Sequence, residues 1–128
     1  IIQGPNMNLL GYKFKDTKTK ITLDKLNTHL QKIAKKLKLK LIIIQTNDES
    51  KAVKVLQRQR NKIRRILLFP GPWQQSGFVL KDTLELLKIP YITISMGESV
   101  KLLRGINNID GDIIKACEIA IEQLTQSI

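Results

Sequence analysis

The sequence is poor in residues that form covalent or metallic cross-links. Cys117 is the only cysteine among 128 residues, which excludes an internal disulfide and a thiolate metal cluster and fits a reducing compartment. His29 is the only histidine. It is flanked by an apolar helical stripe with no ligand spacing around it, so it reads as a helix-surface residue and not a catalyst. Neither a metal nor a cofactor is expected. No apolar run is long enough to span a bilayer, so no membrane partner is expected. No internal repeat or low-complexity linker interrupts the chain. Acids are also scarce: 11 Asp+Glu stand against 22 Lys+Arg, a net charge of +11.

What is present is a globular composition. Apolar residues make up 42% of the chain, enough for one core, and residues 1–128 read as a single domain. Ile1 already reads as strand, so the natural start, with or without a targeting peptide, is expected upstream. The positive excess suggests a polyanion such as nucleic acid as partner. A rival reading is an AT-rich genome, which favours Lys over Arg and Ile over Val. That rival leaves the shortage of acids unexplained.

The chain is organised around Ile1-Ile2-Gln3-Gly4-Pro5-Asn6-Met7-Asn8-Leu9-Leu10-Gly11. A short apolar run stops at Gly-Pro-Asn, as a strand does when it feeds a turn. Asn6 and Asn8 then stand at the carboxyl end of that strand, where open α/β sheets bind ligands. An Asn amide both donates and accepts, which suits a water or an oxyanion. Asparagines that only stabilise their own turn are the plainer reading.

The rest of the chain alternates strand and helix patterns. Thr22 can cap a helix whose stripe is Leu23, Leu26, Leu30, Ile33, Ala34 and Leu37. Leu39 to Thr46 reads as a strand buried on both faces. A helix starts at Asp48-Glu49-Ser50 and ends in the basic run Arg58 to Arg65. Ile66 to Phe69 is a third strand, Phe78 to Leu87 a helix, Tyr91 to Ser95 a fourth strand, and Gly105 to Ile109 a minimal fifth. Ile113 to Leu124 is the closing helix, with Ile113, Ala116, Cys117, Ala120 and Leu124 inward. This alternation predicts a doubly wound parallel sheet.

The string GPNMNLLG resembles GPNLNLLG, the opening motif of the type II dehydroquinases (3-dehydroquinate dehydratases). Gln45-Thr46-Asn47 is similar to that family's QSN or QTN. Pro70-Gly71-Pro72-Trp73-Gln74-Gln75-Ser76-Gly77 resembles its NPGAYTHTS signature, with Asp82 matching the aspartate that follows. The resemblance implies a flavodoxin-like, three-layer α/β/α fold, and trimers assembled into dodecamers. The short stretch after Ser99 and the added charge argue against that assembly here.

The resemblance also implies a reaction: loss of water from an anionic ring acid through an enolate. It needs a tyrosine base activated by an arginine, an enolate-side asparagine and a histidine acid. The asparagine is retained as Asn6. The arginine and tyrosine places, on the family's lid between Gly11 and Leu23, hold Lys13 and Lys18. The histidine place holds Gln75, and Gln cannot supply a proton at neutral pH. The family's pocket asparagine is Phe69. Ser95 matches a substrate-binding position only by loose analogy, and Arg104 stands where an anion-binding arginine would fall. Tyr12 could be a displaced base. Remnant pocket positions are therefore Asn8, Phe69, Ser95 and Asp82.

From the missing proton carriers and the charge, the expected function is a degenerate family member: a pseudoenzyme serving as a basic, RNA-binding subunit of an assembly such as a ribosome, in the cytoplasm or the mitochondrial matrix. Lys13, Lys15, Lys18, Lys20, Arg58, Arg60, Arg64 and Arg65 would contact phosphates. The alternatives are a dehydratase with a displaced or residual site, and a small-anion binding module.

Overall fold

The computed structural model describes residues 1–13 and 21–126. Within them, five strands and six helices follow in order: β1 (Ile2–Gln3), α1 (Leu10–Lys13), α2 (Leu23–Lys36), β2 (Ile44–Gln45), α3 (Glu49–Gln59), β3 (Ile66–Phe69), α4 (Trp73–Ser76), α5 (Phe78–Leu87), β4 (Tyr91–Ile94), β5 (Asn107–Ile109) and α6 (Ile113–Gln126). A 3₁₀ turn, Met7–Leu9, joins the β1 turn to α1.

All strand pairs are parallel, and the order across the sheet is β2-β1-β3-β4-β5. The expected doubly wound, flavodoxin-like sheet is therefore observed, with its topological switch between β1 and β3. Alternation along β3 divides the core. Leu67 and Phe69 pack with Leu26, Leu30, Ala116, Cys117 and Ala120 under α2 and α6. Ile66 and Leu68 pack with Ala52, Leu56, Leu80 and Leu84 under α3 and α5. Strands buried on both faces need apolar residues at consecutive positions, which Ile66-Leu67-Leu68-Phe69 supplies.

Local signals set the helix starts. The Thr22 hydroxyl accepts from the Lys25 N–H at 3.3 Å and caps α2. Asp48 Oδ1 accepts from the Ser50 N–H at 2.9 Å and caps α3. The second element departs from expectation. Residues 39–43 are not strand, and β2 is only Ile44–Gln45, half-buried. It lies at the sheet edge and pairs with β1 alone, so only one side offers ladder partners. Leu37 also leaves the buried stripe: it follows the last turn of α2 and is exposed. The 3₁₀ turn, α1 and α4 had no periodic signal because each is a single turn.

The Ile1 nitrogen donates to the Ile42 carbonyl at 2.7 Å, and the Ile44 N–H donates to the Ile1 carbonyl at 3.0 Å. The parallel ladder thus reaches the first residue. Among the described residues, no helix is long and apolar enough to cross a membrane.

Candidate functional site

The carboxyl edge of the sheet gathers the turns that follow β1, β2, β3 and β4. Close approach starts at Gly4. Its N–H donates to the Phe69 carbonyl at 2.9 Å, and a Cβ there would stand 2.5 Å from that same oxygen. No side chain fits, so glycine alone lets the first and third turns touch. Asn6 then adopts the left-handed conformation, φ 68° and ψ 7°, which Asn tolerates better than most residues. Its N–H donates to Asn47 Oδ1 at 3.0 Å. Gln45 Nε2 donates to the Gly4 carbonyl at 3.1 Å and to Asn47 Oδ1 at 3.2 Å. Gln45-Thr46-Asn47 is thus the clamp that fixes the backbone of Asn6. Asn6 and Asn8 are both exposed.

The turn after β3 is wound by Trp73 N–H to the Pro70 carbonyl, Gln74 N–H to the Gly71 carbonyl and Gln75 N–H to the Pro72 carbonyl. This single turn sorts its residues. Trp73 and Gln74 are buried, while Gln75 and Ser76 are exposed. Gln75 therefore faces solvent from the β3 turn, next to the β1 turn that carries Asn6. Ser95 closes β4, half-buried, with its N–H on the Ile109 carbonyl at 2.9 Å. In the following turn Glu98 Oε2 accepts from the Met96 N–H at 2.6 Å.

The remaining expected positions separate. Phe69 is fully buried within the core under α2 and α6. Asp82 is exposed on α5. Tyr12 is exposed on α1. Arg104 is exposed, its Nε donating to the Lys101 carbonyl at 3.3 Å. Lys13 ends α1; its side chain, and all of Lys15, Lys18 and Lys20, lie outside the described residues.

The arginines do not join this edge. Arg58 is in the last turn of α3, Arg60 follows it, and Arg64 and Arg65 lead into β3. They stand at the amino edge of the sheet, opposite Asn6. The α3 dipole accounts for Arg58 and Arg60, since cations at a helix carboxyl end complement its partial negative charge.

Two positions that sequence patterns did not single out matter here. Gln74 is 1% exposed and bonded to Leu103. Glu49 Oε2 accepts from the Leu80 N–H at 3.0 Å and so caps α5 from another helix. Neither had a local signal, because the partners are 29 and 31 residues away.

The comparisons with known proteins agree with this arrangement. The family model for class II dehydroquinases matches residues 1–103. A 3-dehydroquinate dehydratase from Buchnera aphidicola is 35% identical over 94 residues, 73% of this chain and 63% of that protein. One from Roseiflexus castenholzii is 32% identical over 96 residues, 75% of this chain and 61% of that protein. The chain thus spans about three fifths of the length of these relatives. The type II dehydroquinase of Butyrivibrio crossotus superposes with a TM-score of 0.87 at 20% identity, covering 97% of this chain and 94% of that one. These matches overturn the expected RNA-binding ribosomal subunit, its RNA partner and its mitochondrial setting. The similarity runs to an enzyme family, and the charge of +11 carries no independent sign of RNA. The GPN turn at the switch point and the match over residues 1–103 make this chain a member of the class II dehydroquinase family.

Proposed function

We propose that the protein acts on 3-dehydroquinate as a dehydratase, with a site whose proton carriers are altered. One observation carries this reading: the Gly4-Pro5-Asn6 turn is held by Gln45, Asn47 and Phe69 at the switch point, within the segment that matches the family. A preorganised amide at a strand's carboxyl end can donate to an oxygen on which negative charge develops, which is what an enolate requires. Exposed Gln75 beside it donates an N–H to a hydroxyl and holds it, but transfers no proton. The leaving hydroxide then takes its proton from water, and the rate falls by about 10²- to 10⁴-fold relative to a site with a positioned acid. As proton acceptor the sequence offers Tyr12, exposed on α1, or Lys18, which lies outside the described residues. The cytoplasm is the compartment this reading implies.

Incubation with 3-dehydroquinate tests it, by following the absorbance of the conjugated enone product. Slow, saturable turnover is expected, abolished by Asn6→Ala. Absence of any product above the uncatalysed rate, together with absence of ligand binding, sinks the reading.

A further inference from the structure

We infer that Gln74 is a positioning residue that sets the wall of the substrate site formed by the strap between β4 and β5. The inference rests on the reading above, since a substrate held at the carboxyl edge by Asn6 and Gln75 borders the strap where it leaves β4 at Ser95. The strap, residues 95–106, has no helix or strand of its own. Its two ends are tied to strands. The Ser95 N–H donates to the Ile109 carbonyl at 2.9 Å, and the Ile106 N–H donates to the Tyr91 carbonyl at 2.8 Å. Gly105 adopts φ 61° directly over Tyr91, where a Cβ would meet the Tyr91 carbonyl oxygen at 2.2 Å.

Between those ends the strap is fastened to α4 by one residue. Gln74 Nε2 donates to the Leu103 carbonyl at 2.9 Å, and Gln74 Oε1 accepts from the Leu103 N–H at 2.6 Å. The Gln74 backbone carbonyl accepts from the Leu102 N–H at 3.2 Å. A primary amide offers a donor and an acceptor side by side, so it pairs with both polar groups of one residue as a neighbouring strand would. Leu103 is fully buried in the core under α3 and α5, and without Gln74 its N–H and carbonyl would be buried without these partners.

The consequence for the site follows from the next residue. Gln75 leaves the same single turn toward solvent, so inward Gln74 and outward Gln75 are rigidly coupled. The pin therefore fixes the strap that leaves β4 at Ser95 relative to the turn that carries Gln75. Gln74 touches no substrate in this scheme. It sets the distance across the site, and ligand affinity should report on it more than the chemical step does.

The test replaces Gln74 by Met, which keeps the volume and removes the amide. Two readouts are amide hydrogen exchange and steady-state kinetics with 3-dehydroquinate. In Gln74→Met, exchange at Leu102 and Leu103 should rise at least about tenfold while Ile92 and Ile94 stay protected. KM should rise about tenfold with kcat changed less than about threefold. In the unvaried chain, saturating 3-dehydroquinate should slow exchange at Leu102 and Leu103, a measurement that needs no variant to fold. Unchanged strap exchange in Gln74→Met, a fall in kcat at constant KM, or no ligand effect on the strap in a chain that binds the ligand each overturns the inference. Failure of the unvaried chain to bind or turn over 3-dehydroquinate instead overturns the functional reading on which it rests.

Discussion

Single residues decide what chemistry this site retains. Gln75 is exposed at the carboxyl edge, on a turn wound by the N–H groups of Trp73, Gln74 and Gln75. A histidine there would occupy the same turn without disturbing the buried pair Trp73 and Gln74. Gln75→His is therefore expected to raise kcat for 3-dehydroquinate by about 10²-fold, the lower end of what a positioned general acid contributes. The rate gained should depend on pH through a single group titrating in the histidine range. A rate equal to that of the unvaried chain would mean that protonation of the leaving group does not limit turnover. Cys117 is the opposite case. Burial pushes its thiol up to about 12, so it stays protonated, and it packs as a small apolar side chain of α6.

At the scale of elements, caps from distant residues hold the helices that frame the site. α5 begins at Gly77, which has no side chain to cap it. Glu49, in the first turn of α3, supplies the acceptor instead, at 3.0 Å from the Leu80 nitrogen. The carboxylate also sits at the positive end of the α5 dipole. Glu49→Ala should therefore destabilise the fold by about 1–2 kcal/mol, the range of a lost helix cap, measured by urea denaturation. A loss below about 0.3 kcal/mol would show that water replaces the cap without cost. β3 has four residues and β2 two, but partner count alone does not set length, since β1 pairs on both sides and also has two.

Across the whole molecule, the central strand divides one core into two layers: Leu67 and Phe69 pack under α2 and α6, and Ile66 and Leu68 pack under α3 and α5. Charge is also a property of the whole: Arg58, Arg60, Arg64 and Arg65 gather at the amino edge of the sheet, opposite the GPN turn.

Sequence alone determined the sheet, because Ile66-Leu67-Leu68-Phe69 and the stripes of α2 and α6 bury by periodicity, a local and repetitive signal. It also determined the family, because GPNMNLLG is a turn whose glycine and asparagine meet strict backbone demands at fixed spacing. Only the tertiary structure decided what holds that turn and what borders it. Asn47 against Asn6, Glu49 against Leu80 and Gln74 against Leu103 are pairings between segments 29 to 41 residues apart. A side-chain amide or carboxylate has no periodicity that names its partner. Its partner is fixed only when the folded core brings a buried N–H or carbonyl within reach, and leaving that group unmet would be costly.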